Sequence, residues 1–140
     1  MTTVFNDQIT TTIQINNLIQ KAISENIEAL KLNDIYKLMD DVWDELGCDN
    51  RNIDLKKIQE FYNHPIWILN GLFIEQDKHS LENRHTIVRW INSHNENIKT
   101  VLDYGGGFGT LARLIAESNN HINVDIYEPH PNHIAVEKTK

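Results

Sequence analysis

One cysteine, Cys48, is present among 140 residues. A single thiol excludes an internal disulfide and fits a reducing, cytoplasmic compartment. No thiolate partner stands beside it, so Cys48 reads as a bystander, solvated or buried. Positive charge is also in short supply: 13 Lys and Arg face 20 Asp and Glu, for a net charge of −7 with histidine neutral. With only four arginines and no basic run, the chain has neither the electrostatic footprint of a nucleic-acid binder nor an attraction for an anionic membrane surface. Long apolar runs are missing too. The longest, "PIWILNGLFI", is ten residues interrupted by Asn70 and Gly71, too short to span a bilayer. The opening "MTTVFNDQIT" has no basic start and no apolar segment behind it, so no secretory signal is expected.

Metal chemistry finds little support either. The seven histidines are scattered. His130 and His133 have a spacing that suits a metal, but no third ligand accompanies them. "DELGCDNRNID" lacks the alternating acids and glycine of a calcium loop and reads as a solvated turn between helices. No metal is expected.

What the chain does have is 40% hydrophobic residues, enough for a core, in one modest domain or two small ones. Residues 1–95 carry helical periodicity. Ile15, Leu18, Ile19 and Ala22 mark one helix. Ile35, Leu38, Met39, Val42 and Leu46 mark the next, with Asn33 or Asp34 to cap it and Gly47 to end it. Leu55, Ile58 and Tyr62 form a third face behind Asp54. A fourth runs from about Leu81 through Ile87, Val88 and Ile91, with Ser80 as its cap. "NHPIWILNGLFIEQD" supports two readings. Asn70-Gly71 between apolar pentapeptides signals a hairpin. Asn63 or His64 before Pro65 signals a helix start, with Ile66, Leu69 and Phe73 on one face. The helix is preferred, because a lone hairpin is marginal and helices flank the segment. Trp67 and Phe73 are then core residues and not a ligand box.

The pattern changes after the polar connection "NSHNENIK". "TVLDY" (100–104) is a short strand, "TLARLIAES" (110–118) a helix with Leu111, Leu114 and Ile115 on one face, and "HINVDIYEP" (121–129) a second strand. This is a βαβ unit with parallel strands. Between its first strand and helix lies "GGGFG", four glycines in five positions. Glycine takes positive φ and lets a ligand touch the backbone. The following helix presents unpaired amides and the positive end of its dipole. A nucleotide-type cofactor at the end of the first strand is the expected ligand. Asp103, Gly105, Gly107 and Gly109 form an acid-x-Gly-x-Gly-x-Gly pattern. The dinucleotide fingerprint fails, because its sixth position is Thr110 and Asp103 is foreign to it. The Gly-Lys-Ser/Thr of a phosphate-binding P-loop is absent.

This stretch, about 45 residues of the chain, resembles the class I S-adenosylmethionine-dependent methyltransferases, whose first motif has this form at the end of the first strand. The resemblance implies an α/β fold: an N-terminal helical region (1–95), then the first βαβ unit of a Rossmann-like methyltransferase sheet (96–140). It implies S-adenosylmethionine as cofactor, bound by Asp103, Gly105, Gly106, Gly107, Gly109 and Glu128. Glu128 lies 19 residues beyond Gly109, where the family places an acid on the ribose hydroxyls. "EPHPNHIAVEK" looks like the family's acid-x-x-Pro turn into the next helix. Asp125 is the rival acid, but it lies within the strand, where its carboxylate points sideways. His130 could approach the adenosine, though a turn role suits it better. No catalytic base can be assigned.

A complete member of that family has a seven-stranded sheet with the first strand central. The resemblance therefore implies an incomplete enzyme, truncated or half of a split one, inactive alone, with a complementary chain supplying the missing strands. The expected acceptor is a small molecule. The competing expectations are a non-catalytic partner subunit that keeps a relic of the cofactor unit and, behind it, an NAD-binding Rossmann protein.

Overall fold

The computed structural model describes residues 3–24 and 30–140. It is mixed α/β, mostly helical, with one two-stranded parallel sheet among the described residues. The chain divides into two compact units, Met1–Gln76 and Asp77–Lys140. No helix among the described residues is long and apolar enough to cross a membrane.

The first unit is helical. Helix α1 spans Thr3–Ser24, α2 Leu32–Glu45, α3 Leu55–Tyr62 and α4 Ile66–Gln76. Ile15, Ile19 and Ala22 of α1 are buried, as are Ile35, Leu38 and Val42 of α2, which is the stripe their spacing predicts. Each of these isoleucine, leucine and valine side chains contributes about 1.5–3 kcal/mol of transfer free energy on burial. The segment with two readings is the helix α4, which packs on α1 and α2. It is apolar on nearly every side, so its buried set is Ile66, Leu69, Gly71 and Leu72, with Phe73 only half-buried.

The ends of α2 follow local rules. Gly47 takes φ 65 and turns the chain out of the helix. Its N–H donates to the Asp44 carbonyl at 2.9 Å, and the Cys48 N–H donates to the Trp43 carbonyl at 3.1 Å. This crossed pair is the Schellman arrangement that glycine favours. The cap at the other end is Lys31 rather than Asn33 or Asp34. Asp34 sits one turn in, and its carboxylate accepts from the Lys31 N–H at 3.3 Å, half of a capping box.

Helix α3 departs from its expected face. Asp54 caps it, accepting from the Lys56 and Lys57 N–H groups at 2.9 and 3.4 Å. Yet Leu55 is 80% exposed and Tyr62 is partly exposed, while Phe61 is buried. Phe61 is the hub of an aromatic cluster, edge-on to Trp43 and Trp67 at 5.0 and 5.5 Å. Those distant partners, not the local spacing, choose which side of α3 turns inward.

The second unit begins with α5, Lys78–Ser93, then β1 (Thr100–Tyr104), α6 (Thr110–Ser118), β2 (Asn123–Tyr127) and α7 (His133–Lys138). Helix α5 starts earlier than its sequence suggests, with Asp77 as cap in place of Ser80: the Asp77 carboxylate accepts from the Ser80 N–H at 2.7 Å. It packs against α6 and so belongs to the sheet unit. Val88 and Ile91 of α5 meet Ile115 of α6 and Ile122 ahead of β2, with Val101 and Val124 against them.

The strands pair in parallel, Val101 beside Val124 and Tyr104 beside Tyr127. Burial alternates along β1, so one face of the sheet is covered and the other is open. On the open face Leu102 is 60% exposed, and Tyr104 stacks on Tyr127 at 5.0 Å.

Candidate functional site

The β1–α6 turn is built from two kinds of glycine. Gly105, Gly107 and Gly109 take φ of 71, 55 and 68, the left-handed region that side chains disfavour. Around Gly105 and Gly107 the space is open: a Cβ would meet nothing within 4 Å. Gly106 and Gly109 are instead enclosed. A Cβ on Gly106 would lie 2.9 Å from the Asp103 carboxylate and 3.0 Å from Ile126. One on Gly109 would lie 2.7 Å from both Ile126 and Thr139. The first pair leaves room beside the backbone, and the second lets the turn close onto β2 and α7.

The amides of this turn are largely engaged with the protein itself. The Gly105 and Gly106 N–H groups donate to the Tyr127 carbonyl at 2.7 and 3.4 Å, and Gly109 donates to the Gly106 carbonyl at 2.8 Å. The Gly107 N–H donates to Glu128 Oε2 at 2.8 Å. The expected row of open amides is therefore replaced by a self-bonded turn. Parallel pairing at Tyr104 and Tyr127 carries the chain ends side by side, and the Tyr127 carbonyl of that last pair takes up the first amides. Gly109 caps α6 with no side-chain acceptor of its own.

Glu128 immediately follows β2. Its Oε1 accepts from the His130 N–H at 2.9 Å while Oε2 holds Gly107, so both oxygens are fixed at the turn. A carboxylate oxygen accepts more than one hydrogen bond, and each keeps capacity for a further donor. The bond to His130 is local, between residues two apart. The bond to Gly107 has no sequence signal.

Asp103, on β1, is the second acid here. Its Oδ2 is buried and has no hydrogen-bond partner among the described residues. An unsatisfied buried carboxylate oxygen costs free energy, and such groups are few in native structures. Asp103 and Ile126 are paired in register, so both face the covered side of the sheet under Gly106. Asp125, the rival acid, is exposed and pairs with Leu102 on the open face.

The structure thus brings Asp103, Gly105, Gly106, Gly107, Gly109 and Glu128 into one turn. His133 opens α7, and Asn132 caps that helix by accepting from the Ala135 N–H at 2.9 Å. Among the described residues no group of three or more His, Cys, Asp or Glu is placed to hold a metal. Cys48 is half-exposed and lies in the other unit; desolvation pushes its thiol pKa up, against a smaller downward pull from Lys57, which leaves it a weak nucleophile. Comparison with protein-family models, with curated proteins and with solved structures finds no match to this chain.

Proposed function

We propose that the chain carries the cofactor-binding part of an S-adenosylmethionine-dependent methyltransferase acting on a small-molecule acceptor. The observation that supports this most is Glu128, clamped by the Gly107 and His130 amides beside two left-handed glycines whose outer sides are open. A ribose diol needs a fixed paired acceptor, and the free lone pairs of Glu128 supply one. Gly105 and Gly107 allow an adenosyl group to lie against bare backbone. Asp103 and Glu128 make the turn acidic, which suits a ligand carrying positive charge.

When bound, the cofactor would supply a methyl carbon to which the acceptor's lone pair bonds as the carbon–sulfur bond breaks and its electron pair passes to sulfur. The residues of this turn would position and desolvate that centre. A base on the acceptor is not assigned to any residue here. The two-stranded sheet has open outer edges among the described residues, which suits pairing with a complementary chain.

A non-catalytic reading draws on one observation: the turn satisfies most of its amides internally, as a turn with no ligand would. Two-dimensional amide NMR separates the readings. S-adenosylhomocysteine is expected to shift the Gly105, Gly107, Glu128 and His130 amides in a saturable way, and NAD is not. No shift at millimolar S-adenosylhomocysteine, or an equal response to NAD, sinks the methyltransferase reading.

A further inference from the structure

The first unit contains a cleft of about 410 Å³, within the range of small-molecule sites. We propose that it binds a small quaternary alkylammonium compound, independently of the glycine turn. Five of its walls are aromatic: Tyr36, Trp43, Phe61, Tyr62 and Trp67. The rings are not stacked into a plug. Trp43 and Trp67 stand at 88° and 83° to Phe61, and Tyr62 lies on Trp67 with an interplanar angle of 25°. Rings meeting at near right angles make corners, and corners present π faces and edges to the enclosed space.

The rings of Trp43, Phe61, Tyr62 and Trp67 touch one another, with centroids 5.0–5.5 Å apart, yet two of the wall residues keep solvent exposure. Tyr36 is 53% exposed and Tyr62 42% exposed. Trp67, expected from the sequence to be a plain core residue, is half-buried and lines the cleft.

The charge of the walls selects the ligand. None of the lining residues is basic, and Asp40, exposed, supplies a carboxylate. Helix α2, which carries Asp40 and Trp43, has five carboxylates and one lysine. Aromatic faces attract cations through their quadrupole, most strongly with tryptophan. A primary ammonium brings three N–H donors that need acceptors, and the wall offers only the Asp40 carboxylate and the hydroxyls of Tyr36 and Tyr62. A quaternary ammonium has none, and its methyl groups suit the soft thioether of Met39, also in the wall.

The test uses the whole chain and three probes: choline, tetramethylammonium and 3,3-dimethylbutan-1-ol, the uncharged isostere of choline. Tryptophan fluorescence and calorimetry read binding. Both cations are expected to saturate, with choline binding about tenfold more tightly than its isostere. Asp40→Asn and Tyr36→Leu alter exposed positions, so each should keep the wild-type circular dichroism and melting temperature while weakening choline severalfold. Equal binding of the isostere would mean an apolar pocket and overturn the proposal. So would the absence of saturation by either cation below about 10 mM, or unchanged choline affinity in both folded variants.

Discussion

The Gly107 N–H and Glu128 Oε2 are 2.8 Å apart although the residues are 21 positions apart in sequence. This bond ties the glycine turn to the residue after β2, and the His130 N–H holds the other carboxylate oxygen. Hydrogen bonds to a charged group contribute about 1.5–3 kcal/mol each when shielded, and less where water competes. Glu128→Ala removes both. Its expected result is faster hydrogen exchange at the Gly107 amide and loss of at least about tenfold in affinity for S-adenosylhomocysteine. Glu128→Gln keeps one acceptor oxygen and should fall between. Unaltered Gly107 exchange in Glu128→Ala would disprove the clamp whether or not the cofactor reading holds.

The two kinds of glycine predict a ranking. Gly107→Ala meets only left-handed backbone strain, about 1–2 kcal/mol, because its Cβ enters open space. Gly106→Ala sets a methyl group 2.9 Å from the Asp103 carboxylate, and such overpacking costs about 1–3 kcal/mol. Gly109→Ala combines a φ of 68 with 2.7 Å approaches to Ile126 and Thr139, so it should be the most damaging. Urea denaturation midpoints should fall in the order Gly107→Ala, Gly106→Ala, Gly109→Ala. A Gly107→Ala midpoint as low as that of Gly109→Ala would contradict the assignment of space around the turn.

Strand β1 and helix α6 were legible almost residue for residue, because glycines punctuate one end of each and their apolar spacing differs in period. Glu128 is picked out through the family resemblance, which implies an acid at the end of the second strand, and its carboxylate does lie against the turn. The inward direction of the loop amides was not legible, since the sequence names a donor but not its acceptor. Phe61 was missed for a similar reason. Its burial depends on Trp43 and Trp67, which lie in other helices, whereas Leu55, Ile58 and Tyr62 satisfied the local period. The grouping of α5 with the sheet is also tertiary: an amphipathic stripe says that a helix packs, not on what.

At the start of α5, Asp77 and Ser80 are both good capping types, three residues apart, and the sequence pattern places the cap at Ser80. The structure makes Asp77 the acceptor and Ser80 the donor. Asp77→Ala should therefore destabilise the chain by about 1 kcal/mol, and Asp77→Asn by less. The Ser80 backbone and side-chain hydrogen bonds hold the Asp77 pKa below its ordinary value of 3.8. The carboxylate's contribution is thus present above pH 3.8 and disappears as pH falls through the folded-state pKa. Denaturation of Asp77→Ala and Ser80→Ala at neutral pH checks the roles. A larger loss in Ser80→Ala would reverse them.

His64 gives the fold a second acid-sensitive point. Its Nδ1 accepts from the Ile66 N–H at 3.1 Å at the start of α4, which requires the neutral ring with its proton on Nε2. Burial lowers its pKa from the ordinary 6.5. Below 6.5 the unfolded chain takes up a proton that the folded chain resists, so the unfolded state binds more protons and stability rises with pH across that window. The full contribution is present above 6.5, is lost as pH falls toward the folded-state value, and changes no further below it. Protonation also turns Nδ1 into a donor and removes the bond to Ile66. Thermal melts from about pH 7.5 to about pH 5 should show the wild type losing stability relative to His64→Asn, whose side-chain oxygen can accept the same N–H without titrating. Parallel melting curves for the two proteins over that range would refute a neutral, half-buried His64 as the cap of α4.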